Sequence, residues 1–244
     1  SEMCIRDRLR NMMCHFSDGV DIVLGYTRFD MSSSRGACYA AYDRMLFSLR
    51  YLSCALCGNP YMGEGTNVVY RKSLFFGHKG FSRTLNLRYG DDDLFINESA
   101  TDQNTWVEYS PESITEMAKI DRFSMWKEMK VSRAATQRYY KGWNLTFFRM
   151  ESLSYFLFFI AVITSIVMGI LGNWLISILA GLLYIIRFST KATILHKSAK
   201  LLQQKPVTGW LFFLELLLPL FNLYVRIYRI FRGKNDYTFR LGNK

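Results

Sequence analysis

From Ser152 to Ile186 the chain reads SLSYFLFFIAVITSIVMGILGNWLISILAGLLYII, without one charged residue. A helix that crosses the hydrocarbon core of a bilayer needs about 20 apolar residues. The run is long enough for nearly two such helices, and Gly172-Asn173-Trp174 in its middle supplies a turn and an interfacial aromatic. A helical hairpin over about 153–188 is the expected solution. A chain of 244 residues has too little other structure to cover such a hairpin as a buried soluble pair. Arg149 precedes the run, and Arg187, Lys191, Lys197, Lys200 and Lys205 follow it. The positive-inside bias therefore puts both ends of the hairpin in the cytoplasm. The expected location is an integral membrane protein of a bacterial inner membrane, its polar part on the cytoplasmic face.

A third apolar run, VTGWLFFLELLLPLFNLYVRIYRIF, covers about 207–231 and contains Glu215 and Pro219. Basic residues lie on both sides of it, Lys205 before and Arg226, Arg229 and Arg232 towards its end, so a crossing would put one cluster on the wrong side. Pro219 removes a backbone hydrogen bond and favours a kink. A re-entrant or interfacial arrangement fits the charges, and a plain third crossing stays open. Between the two apolar regions, TILHKSAKLLQQK reads as an amphipathic helix on the membrane surface, about 191–204.

The chain's net charge of +11 is concentrated at this end: eleven Lys/Arg lie between Arg187 and Lys244, against Glu215 and Asp236. Cations that flank apolar runs suit anionic lipid, whereas nucleic-acid binding calls for a basic patch on a soluble fold. No nucleic-acid partner is expected. The cysteines are five, all ahead of the apolar region, and Cys54-Ala-Leu-Cys57 has no second pair to complete a zinc site. Reduced thiols on a partly buried helix are the plainer reading.

Residues 9–150 read as mixed α/β. VDIVLGYTRF is strand-like, bounded by Asp18-Gly19 and Ser32-Ser33-Ser34, and AYDRMLFSLRYLSCAL has apolar positions at helical spacing. In GEGTNVVYRKSLFF, Gly63 and Gly65 permit a tight loop, Val68-Val69-Tyr70 form a short strand, and Arg71-Lys72 begin a helix. A glycine-rich loop followed by two cations can hold an anion through backbone N–H groups and side-chain charge. Further on stand three successive aspartates, Asp91, Asp92 and Asp93. Neighbouring like charges raise one another's pKa, so a solvated loop, a cation or a basic ligand must make them tolerable.

The order Gly63-x-Gly65-x-Asn67-x-x-Tyr70-Arg71-Lys72, then Gly80-Phe81, then Gly90-Asp91-Asp92-Asp93, followed by a basic and aromatic segment and membrane helices, resembles family 2 glycosyltransferases. The resemblance implies an inverting enzyme whose residues 9–150 are the C-terminal portion of a GT-A catalytic domain, followed by an α-helical transmembrane region at 151–244. It implies a nucleotide-sugar donor and a lipid-linked or cell-envelope glycan acceptor. In the family the aspartate that matches Asp92 is the general base. One carboxylate suffices there, because the acceptor hydroxyl becomes acidic only as it attacks the anomeric carbon, and a double displacement would need a second. Asp91 and Asp93 would orient Asp92 or pair with nearby cations. The competing reading is an acidic turn that caps the helix DLFINESAT.

Gly63, Gly65, Asn67, Arg71, Lys72 and Asp93 are the expected donor- and acceptor-binding residues. DRFSMWKEMKVSRAATQRYYKG takes the place of the family's Gln-x-x-Arg-Trp segment but departs from it, giving Met129-Lys130-Val131-Ser132-Arg133. Lys130 and Arg133 could supply charge to a leaving diphosphate and Trp126 an aromatic wall; an ordinary interface helix with solvated cations fits equally. The family also has an Asp-x-Asp motif that holds a divalent cation, Mg2+ or Mn2+, and none precedes Asn11. Met3-Cys4-Ile5-Arg6-Asp7-Arg8 resembles one translated frame of a sequencing adapter, so residues 1–8 are expected to be an artefact on a shortened chain. Such a chain would lack most of the donor site and be inactive by itself. The rival from another class is a non-catalytic membrane-anchored interaction module. A transporter is disfavoured, since no ionisable residue interrupts the apolar runs before Glu215.

Overall fold

The computed structural model describes residues 2–17, 19–29, 35–85, 87, 90–117, 123–205 and 210–232. The expected turns at Asp18 and at Ser32-Ser33-Ser34, and the first residues of the third apolar run, lie outside them. The chain is mostly helical, with a small mixed sheet and three long apolar helices in its C-terminal part. Residues 2–8 belong to helix α1, Glu2–Met13, whose Met12 is buried.

The strand-like segment VDIVLGYTRF becomes two strands. β1, Ile22–Gly25, is wholly buried, and β2 covers Thr27–Phe29. β1 pairs antiparallel with β3, Val68–Tyr70, and parallel with β4, Thr105–Glu108. β2 pairs parallel with β5, Thr115–Met117, in a separate two-stranded sheet. The break falls at Tyr26, whose carbonyl accepts from Asn67 Nδ2 at 2.7 Å and from Thr115 N of β5 at 3.2 Å, turning the chain from one sheet to the other. Asn67 packs so closely on Gly25 that a Cβ there would sit 2.4 Å from its amide nitrogen.

Helix α2, Arg35–Leu56, lies between two cores. One of its faces gives Tyr51, Leu52 and Ala55 to a cluster with Ile22, Leu24, Phe95 and Val107; another gives Ala40, Ala41 and Met45 to a cluster with Trp126, Leu195, Leu211, Leu214 and Leu218. The first cluster joins α2 to the sheet. The second joins α2 to the apolar helices.

α3 covers Lys72–Gly77, α4 Asp91–Ser99 and α5 Phe123–Thr136. Then come α6, Asn144–Leu171, and α7, Trp174–Leu201, which form the hairpin with its turn at Gly172-Asn173. Asn173 caps α7 by accepting from Leu175 N at 3.1 Å. The two helices approach closely at Gly169, where a Cβ would fall 2.0 Å from Ser177 Oγ and 2.8 Å from the Ser177 amide nitrogen. Small residues at such crossings are how apolar helices pack without a hydrophobic driving force between them. One expectation is corrected here: no break separates the hairpin from a surface helix at 191–204. α7 runs unbroken to Leu201 because Leu195 and Ala199 are gripped by the second core.

α8, Leu211–Arg232, is a single helix with Pro219 inside it. Proline has no N–H for the carbonyl four residues back, which is Glu215. Tyr155 of α6 supplies the missing donor, its hydroxyl reaching that carbonyl at 2.5 Å.

Candidate functional site

Gly90 adopts a left-handed conformation, φ 92°, and N-caps α4, so that Asp91, Asp92 and Asp93 form its first turn. Negative charge at a helix N-terminus meets the positive end of the backbone dipole, which offsets part of the repulsion among the three. The rest is relieved by sending them to different places. Asp93 turns inward and is 9% exposed. It accepts from Thr136 Oγ1 at 3.1 Å, from the Tyr140 hydroxyl at 2.5 Å and from its neighbour Leu94 N at 3.0 Å. Burial pushes its carboxyl up, against the downward pull of those hydrogen bonds. The bond to Thr136 ties α4 to the end of α5.

Asp92 and Asp91 stay half-buried at the surface. Asp92 faces the glycine loop: a Cβ on Gly65 would lie 1.8 Å from its Oδ2 and 2.5 Å from its Cγ. Only glycine lets the loop backbone come this near the carboxylate. Burial raises the Asp92 carboxyl above the usual aspartate range, and the adjacent Asp91 charge adds to the rise. Asp91 Oδ1 is buried without a hydrogen-bond partner. Tyr70 is close enough that the Asp92 charge, after burial, helps push its phenol up.

The loop is held from behind. A Cβ on Gly63 would strike Leu24 at 2.7 Å and Ile96 at 3.2 Å, so the backbone there is pressed between β1 and α4. Glu64, between the two glycines, accepts from Arg133 Nη2 at 2.6 Å. It also meets the buried Arg44 as a charge contact rather than as an aligned hydrogen bond. The Arg133 guanidinium stacks 4.3 Å over the Phe47 ring.

The expected ligand-binding residues divide accordingly. Gly63, Gly65, Asp91, Asp92 and Arg133 converge around the loop and the start of α4. Asn67 does not join them: it is 2% exposed and its amide bridges the carbonyls of Tyr26 and Ser113. Arg71 turns back towards residues 17–21, donating to the carbonyls of Val20 and Ser17 at 3.0 Å each and pairing with Asp21. Lys72 is exposed at the start of α3. Lys130 is committed elsewhere, its Nζ donating to Asp43 at 2.5 Å and to Asn222. Burial lowers its pKa against the upward pull of Asp43. Trp126 is no open wall either, being buried, stacked 4.5 Å on Phe221 and bonded to Asp43.

Four residues of the site escape a sequence reading. Glu64 stands inside the Gly-x-Gly it anchors and could have been noticed there. Arg44, Thr136 and Tyr140 give no local signal, because their partners are remote along the chain. Among the described residues no group of three His, Cys, Asp or Glu side chains is placed to hold a metal. A cavity of about 220 Å³ lies on another side of α4, lined by Phe81, Arg83, Leu94, Asn97, Glu98 and Lys141; it does not include Asp92. Comparison with protein-family models, with curated proteins and with solved structures gives no match for this chain.

Proposed function

We propose that this chain is the acceptor side of an inverting, membrane-attached glycosyltransferase, with Asp92 as its general base. The observation that carries the reading is the contact between Gly65 and Asp92. It puts a half-buried carboxylate of raised pKa beside backbone that no side chain shields. A sugar hydroxyl on Asp92 would lose its proton to the carboxylate as its oxygen bonds to the anomeric carbon. The bond from that carbon to the nucleotide diphosphate breaks with the electron pair going to the leaving oxygen. One base and one displacement invert the anomeric configuration. The donor would be a nucleotide sugar and the acceptor a lipid-linked or cell-envelope glycan, reached from the cytoplasmic face of an inner membrane.

The rival reading, a non-catalytic membrane-anchored interaction module, draws on one observation. Asn67, Arg71 and Lys130 are all engaged within the fold. The experiment is transfer of labelled sugar from a panel of nucleotide sugars by membranes from cells expressing the gene at full length. Asp92→Asn is expected to lower transfer by at least about a hundredfold, in line with loss of a general base, while membrane insertion is unchanged. Equal transfer by wild type and variant would favour the module.

A further inference from the structure

α8 is sorted by face with helical regularity. Leu211, Leu214, Leu218 and Val225 are buried, and the helix packs on α2 and α5. Three of its polar residues lie on that same side: Glu215 pairs with Lys191 at 3.1 Å, Asn222 accepts from Lys130, and Arg229 donates to the carbonyl of Ala134. The opposite face shows Phe213, Leu216, Leu220, Leu223 and Ile227, all exposed. A helix with so apolar a free face lacks the polar outer side of a helix on a soluble domain.

A crossing would carry α2 and α5, with Asp43, Lys130 and Arg133, into hydrocarbon, where charge is heavily penalised. The hairpin gives an independent measure of depth. The first turns of α6 are held to the domain, since Arg50 pairs with Glu151 and Phe148 meets Tyr61. The last turns of α7 are held through Leu195, Ala199 and Leu202. Between those holds the free stretches are Ser152–Leu171 and Trp174–Ile194, each about 30 Å long at 1.5 Å per residue. Both match a core about 30 Å thick, which puts the holds, and α8 packed beside Leu195 and Ala199, at its boundary.

We propose that α8 does not cross but lies flat at the boundary of headgroups and acyl chains, its Phe213–Ile227 face in an anionic lipid bilayer. The exposed aromatics Trp210 and Tyr224 suit that layer, and Lys205 and Arg226 then stay on one side with the anionic headgroups. The placement stands whether or not the chain transfers sugar.

The test uses the full chain in vesicles of phosphatidylcholine and phosphatidylglycerol. Nitroxide labels go at Phe213→Cys, Leu220→Cys and Ile227→Cys in a background without other cysteines; these positions recur every two turns on one face. Relative accessibility to oxygen and to a nickel chelate reads depth. A flat helix puts all three labels at one depth, whereas a crossing helix spreads the outer two by about 21 Å. A depth gradient of that size overturns the proposal, and so does low accessibility to both reagents, which would mean that protein covers the face. A second measurement needs no internal substitution. Protease-sensitive tags at the two termini should be cut from the same side of sealed vesicles, and cutting from opposite sides would again overturn it.

Discussion

Gly65 and Asp92 constrain each other atom by atom, so the smallest possible side chain at position 65 is an informative change. In Gly65→Ala the new methyl group would occupy the place of Asp92 Oδ2, and the carboxylate must rotate away. Transfer is expected to fall by about a hundredfold, the cost typical of misplacing a reacting group by an ångström, with little change in melting temperature. An alanine variant of full activity would place the base elsewhere. The raised pKa of Asp92 gives two further expectations of known sign. The acid limb of kcat/KM should lie above the ordinary aspartate value of about 3.9. A carboxyl whose folded pKa is raised contributes stability below its unfolded pKa and loses it as pH rises through the folded one. At neutral pH, then, Asp92→Asn should melt higher than wild type while losing activity. A lower melting point for the variant at pH 7 would mean that the carboxylate is stabilising where it sits.

Among the elements, α8 shows how one residue choice is answered by another far away. Pro219 frees the Glu215 carbonyl and Tyr155 of α6 takes it up. Tyr155→Phe should therefore lower stability by about 1–3 kcal/mol, the cost of an unsatisfied buried acceptor. Pro219→Ala restores the helix's own N–H to that carbonyl. In the Pro219→Ala background the Tyr155→Phe change should be nearly silent, and thermal melts of the four proteins in detergent measure the coupling. Additive losses would show that the hydroxyl matters for some other reason. This pair also marks what a sequence reading reaches. Pro219 announces a missing hydrogen bond, but nothing in the sequence says who repairs it. The hairpin, the β3 strand, the start of α3 and the acidic start of α4 were legible because each has a local cause: an uncharged run, β-branched neighbours, or charge at a helix end. The division of VDIVLGYTRF at Tyr26, the unbroken length of α7 and the capture of Lys130 by Asp43 were not. Each depends on contacts made across long separations of chain, 87 positions in the last case. For the same reason the glycine loop was legible as a loop, and its anchoring by Arg44 and Arg133 was not.

At the scale of the whole molecule, the sheet domain and the apolar helices are joined by polar contacts as well as by the second core. Gln204, just after α7, exchanges two hydrogen bonds of 2.9 Å with the backbone of Phe29 in β2, in the manner of an extra strand residue. Asp43 of α2 accepts from Trp126 and Lys130 of α5, and Lys130 reaches Asn222 of α8. One buried ammonium thus links three helices, one of which presents its far side to lipid in our proposal. Removing only one partner of such a pair leaves an uncompensated charge, so Lys130→Met should cost about 3–5 kcal/mol. Replacing Asp43 as well, with Asn, removes the stranded charge and keeps an acceptor for the Trp126 indole, so the double variant should recover most of the loss. Because the contact belongs to both halves, the single variant should lower one shared unfolding transition rather than split it. Calorimetry in detergent reads the number of transitions, and cysteine labelling at Phe213 or Leu220 reports whether α8 stays seated. If Lys130→Met released α8 while the sheet domain melted at its original temperature, the two halves would be separate units, and the link through Lys130 would be a tether and not a shared core.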